Sequence, residues 1–185
     1  GDLPVRPVQA RLAALGEAQR RAVLTGAHGA AHSKAMSILD DYKARVGETK
    51  ASSWFEIDQA RVNAFADVTL DHQFIHVDPE RAKAETPFGG PIAHGFLTLS
   101  MLSHFAAESL PDFPEGVIGI NYGFDKVRFL SPVPVGAKIR GVFTLASAEE
   151  RKPGQIQLVQ DCQVEIEGAP APALSAKWLS LVVTG

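Results

Sequence analysis

Apolar and polar residues alternate over much of the second half of the chain, most clearly between residues 155 and 167. Successive side chains of a strand point to opposite faces, so this alternation predicts a strand with one buried face and one solvated face. Further strands are predicted at residues 118–124, 126–130, 138–145 and 173–183. They are separated by typical turn sequences at Ser131-Pro132, Pro153-Gly154 and Gly168-Ala169-Pro170. The chain after Pro114 is therefore predicted to form an antiparallel sheet.

A different pattern precedes these strands. Residues 92–110 place apolar side chains on nearly every side of a helix, which predicts a helix buried all round. Residues 54–57 are a short strand candidate, and Asp58 is placed to cap the helix that follows. Asp78 and Pro79 suit the cap and the first position of another helix. One apolar helix followed by several strands predicts an α+β fold, with the sheet wrapped around the long central helix.

The N-terminal residues have a helical composition of their own. Helices are predicted at residues 8–23 and 32–46, and glycines between them suit a break. We therefore expect an N-terminal helical extension, residues 1–47, that packs on the domain or on a second subunit. The main domain is expected to occupy residues 48–185.

Composition narrows the classes of function. The 185 residues are 45% hydrophobic, which is typical of one globular domain, and the net charge of −3 offers no basic stripe for a nucleic-acid partner. The single cysteine, Cys162, lies in an alternating strand and is expected to be buried and inert. No apolar run of membrane-spanning length and no targeting segment is evident, so we expect a soluble, cytoplasmic protein.

The densest polar cluster lies at residues 71–78, where two aspartates and two histidines stand between apolar segments. A carboxylate and an imidazole close together can hold one water molecule, one group accepting a proton as the other donates. The spacing of Asp71 and His76 suits a loop that brings both side chains to one pocket. They are the catalytic candidates.

A second cluster, residues 89–95, runs directly into the apolar helix. Free N–H groups at a helix start can stabilise negative charge on a carbonyl oxygen, and Gly95 would let a ligand approach the backbone closely. Hydration of an α,β-unsaturated carbonyl needs these two features together, because attack at the β-carbon places enolate charge on that oxygen.

These segments resemble the MaoC-like dehydratases and (R)-specific enoyl-CoA hydratases, and the likeness is greatest to the NodN-like branch. The resemblance extends from about Ser52 to the C-terminus and rests on several ordered motifs. They are residues 71–78, Pro87-Phe88-Gly89, 92–99, 121–129 and Pro132-Val133-Pro134-Val135-Gly136.

The resemblance implies a hot-dog fold and assigns roles within it. It implies that Asp71 and His76 are catalytic and that the Gly95 N–H binds the thioester carbonyl. It also implies that Ser103 lies near the active site. His94 and Gln73 are the further substrate-binding candidates, although His94 could equally be a packing residue. It also implies reversible hydration of trans-2-enoyl thioesters to (R)-3-hydroxyacyl products, with coenzyme A as the carrier, no separate cofactor, and a homodimer whose sheets join.

The chain departs from the family pattern at three positions. Gln73 replaces an asparagine and Phe74 a proline, as in the NodN-like variant. Leu70 stands where glycine is usual, which puts the backbone of the catalytic loop in question.

Other functions remain open at this level. The same fold could act as an acyl-CoA thioesterase, or as a binding protein for acyl thioesters that has lost activity. A metal site built from Asp71, His72, His76 and Asp78 is disfavoured, because the spacing matches no zinc-binding motif such as HExxH. No metal is expected.

Overall fold

A computed structural model describes residues 37–184 of the chain. Its helices are α1 (residues 37–44), α2 (Gln59–Thr69), α3 (Phe74–Val77), α4 (Pro79–Glu85) and α5 (Gly95–Ser109). Its strands are β1 (Thr49–Ala51), β2 (Phe55–Glu56), β3 (Val117–Phe129), β4 (Lys138–Lys152), β5 (Gln155–Ile166) and β6 (Leu174–Thr184). The helix predicted at residues 8–23 lies outside the described residues.

The described strands form one antiparallel sheet in the order β1-β4-β5-β6-β3, with β2 also pairing with β4. Helix α5 packs on the inner face of this sheet and buries Leu97, Met101, Leu102 and Phe105. The sheet contributes large side chains such as Phe143 to the same core. The α+β hot-dog arrangement predicted from the sequence is confirmed.

Two predicted elements differ from the structure. The central helix begins at Gly95 rather than at residue 92, because Ile92 forms a bridge with Pro134 and the Ala93 N–H donates to the Val133 carbonyl at 2.8 Å. It is not buried on every side either, since Phe96 is 67% exposed in the single chain.

The strands predicted at residues 118–124 and 126–130 are one continuous strand, β3. Its pairing with β6 shifts register between Asp125 and Arg128, and Lys126 has a positive φ of 56° there. Such a bulge inserts a residue and interrupts the alternation of side chains. The interruption made one strand look like two.

Helix α1 covers one end of the sheet. Its Ile38 and Leu39 are buried in a second apolar cluster with Leu145, Ile156 and Val182. This agrees with the helical pattern expected there, while the proposed boundary at residue 47 stays a prediction.

Cys162 is buried as expected, and burial raises the pKa of its thiol to about 12. Its thiolate form is therefore absent at neutral pH, and the side chain acts as a small apolar group. Separately, none of the helices between residues 37 and 184 has both the length and the apolar character needed to span a bilayer.

Candidate active site

The loop that carries the catalytic candidates, called the catalytic loop below, starts at the end of helix α2. Leu70 ends that helix with φ 61° and ψ 22°, a left-handed conformation that glycine adopts easily and other residues rarely do. Leu70 therefore adopts the backbone conformation expected of the glycine that is usual at this position. This strain costs about 1–2 kcal/mol.

His76 lies in the short helix α3 and is buried. Its Nδ1 is 2.7 Å from the carbonyl oxygen of Ile92. A carbonyl can only accept, so Nδ1 carries the proton and donates, and Nε2 of the neutral ring keeps a free lone pair. The main chain is fixed as well, because the Gln59 side-chain amide donates to the His76 carbonyl at 2.7 Å.

The pKa of His76 lies below the ordinary value of 6.5. Burial is the largest cause, and the nearby His94 also lowers the pKa. The hydrogen bond to Ile92 and the charge of Asp71 oppose this shift in part. His76 is therefore neutral at neutral pH, with Nε2 able to accept a proton.

His94 connects the catalytic loop to helix α5. It is the N-cap residue of that helix and only 2% exposed, and its Nε2 donates to the main-chain carbonyl of Asp71 at 2.9 Å. Its ring stacks on His76 with 3.8 Å between centroids and packs near Phe65 at 5.1 Å. His94 is thus a structural contact of both catalytic candidates.

The predicted pair comes together in the structure. One side-chain atom each of Asp71, His76 and His94 lies within 4.8 Å of the others, and Asp71 is exposed to solvent while the two histidines are buried. These atoms could also reach one metal ion, but the expectation of a metal-free site stays a prediction.

The other polar residues of the loop have structural contacts. His72 is exposed and pairs with the Asp67 carboxylate at 2.9 Å. Asp78 accepts from the Arg81 N–H at 3.0 Å and caps α4, as predicted. The sequence-based set of possible metal ligands is therefore not the set that converges.

Gly95 is the first residue of α5, so its N–H has no acceptor within the helix and points out of the positive end of the helix dipole. A Cβ added at Gly95 would lie 3.0 Å from the ring of Phe129, which is half exposed. Phe129 thus packs against the Cα of Gly95. The sequence analysis included Phe129 in the motif at residues 121–129 but assigned no role to it. Its contact with Gly95 depends on how β3 packs against α5, which the sequence does not reveal.

The remaining site predictions have mixed outcomes. Gln73 is exposed at the N-cap position of α3, and its carbonyl accepts from the His76 N–H at 3.0 Å, so its role in substrate binding stays a prediction. Phe74 occupies the first helical position, which explains why related proteins accept proline there. Its ring lies 4.0 Å below the Arg81 guanidinium.

Ser103 lies eight residues beyond Gly95 on α5, about 12 Å along the helix axis. It lines a cavity of about 400 Å³ between the second half of α5 and the inner face of the sheet. Asp71 and His76 do not line this cavity, so Ser103 lies apart from the catalytic candidates, and its role near the active site stays a prediction.

The sequence and the fold of this chain are similar to those of known proteins. Residues 42–167 match the family described as MaoC like domain. Nodulation protein N of Rhizobium meliloti is 51% identical over 144 residues, which cover 77% of this chain and 89% of that protein. The 3-hydroxyacyl-thioester dehydratase Z of Mycobacterium tuberculosis is 46% identical over 139 residues, 74% of this chain and 90% of that protein.

A solved structure with the same fold is the (R)-hydratase from A. caviae involved in PHA biosynthesis. It has a TM-score of 0.58 and 27% sequence identity, and the match covers 73% of this chain and 94% of that one. The sequence relatives and the fold thus point to the same family. The chain belongs to the MaoC-like domain family.

Proposed function

We propose that the protein is a hydro-lyase that reversibly hydrates trans-2-enoyl thioesters, with coenzyme A as carrier, to (R)-3-hydroxyacyl thioesters. The observation that carries the proposal is the convergence of the Asp71 carboxylate and the His76 imidazole. Relatives named as a 3-hydroxyacyl-thioester dehydratase and an (R)-hydratase support it. The acyl thioester enters as substrate, and no further cofactor is needed for this chemistry.

The chemistry follows from the protonation states of the site. A water molecule held between Asp71 and His76 gives a proton to the free Nε2 of His76 as its oxygen attacks the β-carbon. Negative charge moves to the thioester carbonyl oxygen, where the Gly95 N–H, which has no acceptor within its helix, and the helix dipole stabilise it. A proton then passes from the Asp71–His76 pair to the α-carbon, so that one water molecule has been added overall.

The cavity between α5 and the sheet is assigned to the acyl chain. It begins two helical turns beyond Gly95, and much of its wall is apolar, with Ala106, Leu110 and Leu158 among its lining residues. A thioester carbonyl held at Gly95 would direct its chain along the helix toward this space.

The test is the loss of absorbance of the conjugated thioester when the protein meets crotonyl-CoA and longer trans-2-enoyl-CoAs, with chiral analysis of the product. We expect (R)-3-hydroxyacyl-CoA, and we expect Asp71→Asn and His76→Ala to lose at least about a hundredfold in turnover while keeping their circular dichroism. His72→Ala is the matched control, because its exposed side chain pairs with Asp67 and with no other residue between 37 and 184.

Full activity in either catalytic variant would contradict the proposal. Release of free thiol from saturated acyl-CoA without hydration would identify a thioesterase instead. Tight binding of enoyl thioesters with no turnover at all would identify a binding protein.

We further propose that the protein is a homodimer joined through strand β3. Among the described residues β3 pairs only with β6, so its other edge is open. Ile118, Ile120 and Tyr122 on this strand are each roughly half exposed or more, and such an apolar edge favours pairing with a second copy. Sedimentation equilibrium should give a dimer, and Ile120→Lys should give monomers. A monomeric wild-type protein at micromolar concentration would contradict this.

A further inference from the structure

The cavity assigned to the acyl chain lies between two helices on the inner face of the sheet. Along β4, Phe143 belongs to the core cluster of α5, whereas Leu145 and Ala148 belong to the second cluster with α1. Strand β6 shows the same order, with Trp178 in the cluster of α5 and Val182 in that of α1. The cavity is lined by Phe143, Leu145 and Trp178, which lie where the two clusters meet. Helix α1 therefore lies at the end of the cavity that points away from α5.

Two aromatic rings close that end. Tyr42 lines the cavity from α1 and packs against the second cluster. Phe113 lines it from the loop between α5 and β3, and its ring lies directly over Gly119, where an added Cβ would be 2.3 Å from the ring. Gly119 pairs with Val182, so Phe113 lies at the same level of the sheet as α1. The two rings therefore form the far wall of the cavity.

One face of α5 leads from the start of the helix to this cavity. Residues spaced by three or four positions lie on the same face of a helix. Such a series is formed by Gly95, Leu99, Ser103, Ala106 and Leu110, and the last three line the cavity. A thioester held at the Gly95 N–H can therefore extend its acyl chain along this face of the helix and into the cavity.

Two measures give the length of chain that fits. Along the axis of α5, Ser103 lies about 12 Å and Leu110 about 22 Å beyond Gly95. Along β6, Val182 lies about 26 Å beyond the residue that pairs with Phe129, the neighbour of Gly95. Contact with the far wall takes about 4 Å of this distance, which again leaves about 22 Å. Since an extended hydrocarbon chain advances about 1.3 Å per carbon, about 10 carbons reach the cavity and about 17 reach its far wall.

We propose that the protein selects long acyl chains, of about 12 to 16 carbons, and that Tyr42 and Phe113 set the upper limit. This rests on the proposed function for the position of the thioester. Each methylene that enters the cavity is buried against apolar side chains such as Ala106 and Leu158, which improves binding about three- to fourfold. A chain longer than about 18 carbons meets the two rings, so its affinity falls.

The experiment measures the binding of saturated acyl-CoAs, from butyryl-CoA to arachidoyl-CoA, below their critical micelle concentrations. Tryptophan fluorescence reports the binding, because Trp178 lines the cavity. We expect weak binding up to octanoyl-CoA, a steep rise from decanoyl-CoA to palmitoyl-CoA and a fall at arachidoyl-CoA. The kcat/KM values of the trans-2-enoyl-CoAs should follow the same order. Equal affinity along the series, or a maximum at or below octanoyl-CoA, would overturn the proposal.

Changes of ring size should move the upper limit in opposite directions. Tyr42→Ala and Phe113→Ala should each raise the affinity for arachidoyl-CoA relative to palmitoyl-CoA about tenfold or more. Tyr42→Trp should weaken palmitoyl-CoA relative to myristoyl-CoA about tenfold, because the larger ring shortens the cavity. A variant that only loosens α1 would not shorten the cavity, so the opposite shifts separate the wall from the stability of the fold.

Lys43→Ala is the matched control, because Lys43 follows Tyr42 on α1, is exposed and lies outside the lining of the cavity. It should leave the dependence on chain length unchanged. The same dependence on chain length in the wild type and in all three ring variants would overturn the proposal.

Binding and turnover together separate this proposal from the proposed function. The expected dependence of binding on chain length, without wild-type turnover of any enoyl-CoA, would remove the hydratase assignment and keep the selection of long chains. Turnover with a maximum of kcat/KM at crotonyl-CoA would keep the hydratase assignment and remove the selection of long chains.

Discussion

The contact between His94 and the Asp71 carbonyl gives a sharp prediction. His94→Phe keeps an aromatic ring next to His76 but removes the donor that holds the catalytic loop at 2.9 Å. His94→Ala removes both the donor and the ring. The two variants thus separate the attachment of the loop from the packing of the site.

The magnitudes follow from these contacts. Loss of one hydrogen bond in a buried setting costs about 1 kcal/mol of the free energy of unfolding, which is the expectation for His94→Phe. His94→Ala also leaves a cavity beside His76 and Phe65, so its total cost is about 2–4 kcal/mol. Both variants let Asp71 move relative to Gly95. A misplacement of about 1 Å can lower turnover by a factor of about 100.

Urea unfolding and the pH profile of kcat/KM would test this. Both variants should lose about ten- to a hundredfold in kcat/KM. Burial and the neighbouring His94 both lower the pKa of His76, so His94→Ala should raise that pKa and move the acidic limb of the profile to higher pH. Activity within twofold of wild type in both variants, with an unmoved acidic limb, would refute the reasoning.

Three further predictions concern the same region. Because the pKa of His76 is lowered in the folded state, the unfolded chain binds a proton near pH 6.5 that the folded chain does not. The free energy of unfolding should therefore fall as pH drops below about 6.5, by at most about 1.4 kcal/mol per pH unit, and His76→Gln should flatten the dependence measured by urea titration. Leu70→Gly should stabilise the fold by up to about 1 kcal/mol, since relief of the left-handed strain exceeds the entropic cost of glycine; a lower melting temperature would contradict it. Gly95→Ala should reduce kcat/KM about tenfold or more by pressing on the Phe129 ring, and Phe129→Ala in the same chain should restore part of the loss in a double-mutant cycle. An additive double variant would show that the methyl group acts elsewhere.

Local signals in the sequence were sufficient for much of the fold. Asp58 and Asp78 were predicted as helix caps, and each accepts a hydrogen bond from the N–H three residues later. Capping depends on a few neighbouring residues, so it can be predicted without knowledge of the tertiary structure. The alternation of β5 likewise predicted its buried face.

Contacts between residues far apart in the chain were harder to predict from the sequence. The pairing of Asp71 with His76 was proposed from short spacing and the family resemblance, but the stacking of His94 on His76 depends on the bridge between Ile92 and Pro134, far apart in the chain. Gln160 lines the cavity beside α5, and the sequence pattern already indicated this position. The alternation of β5 places Gln160 on the buried face together with Leu158 and Cys162. A polar residue in phase with buried neighbours indicates a possible ligand contact.

The two parts of the site come from different stretches of the chain. The proposed reacting groups lie between residues 71 and 95, in one short segment that hydrogen bonds within the segment and from Gln59 help to hold. Much of the cavity that we assign to the acyl chain is lined by strands that begin after residue 116. We therefore expect mutations in the strands to change which acyl chain is accepted while the proposed reaction stays the same. Evolution and protein engineering can thus vary the two properties independently, and relatives that share the catalytic segment can be expected to diverge first in their substrates.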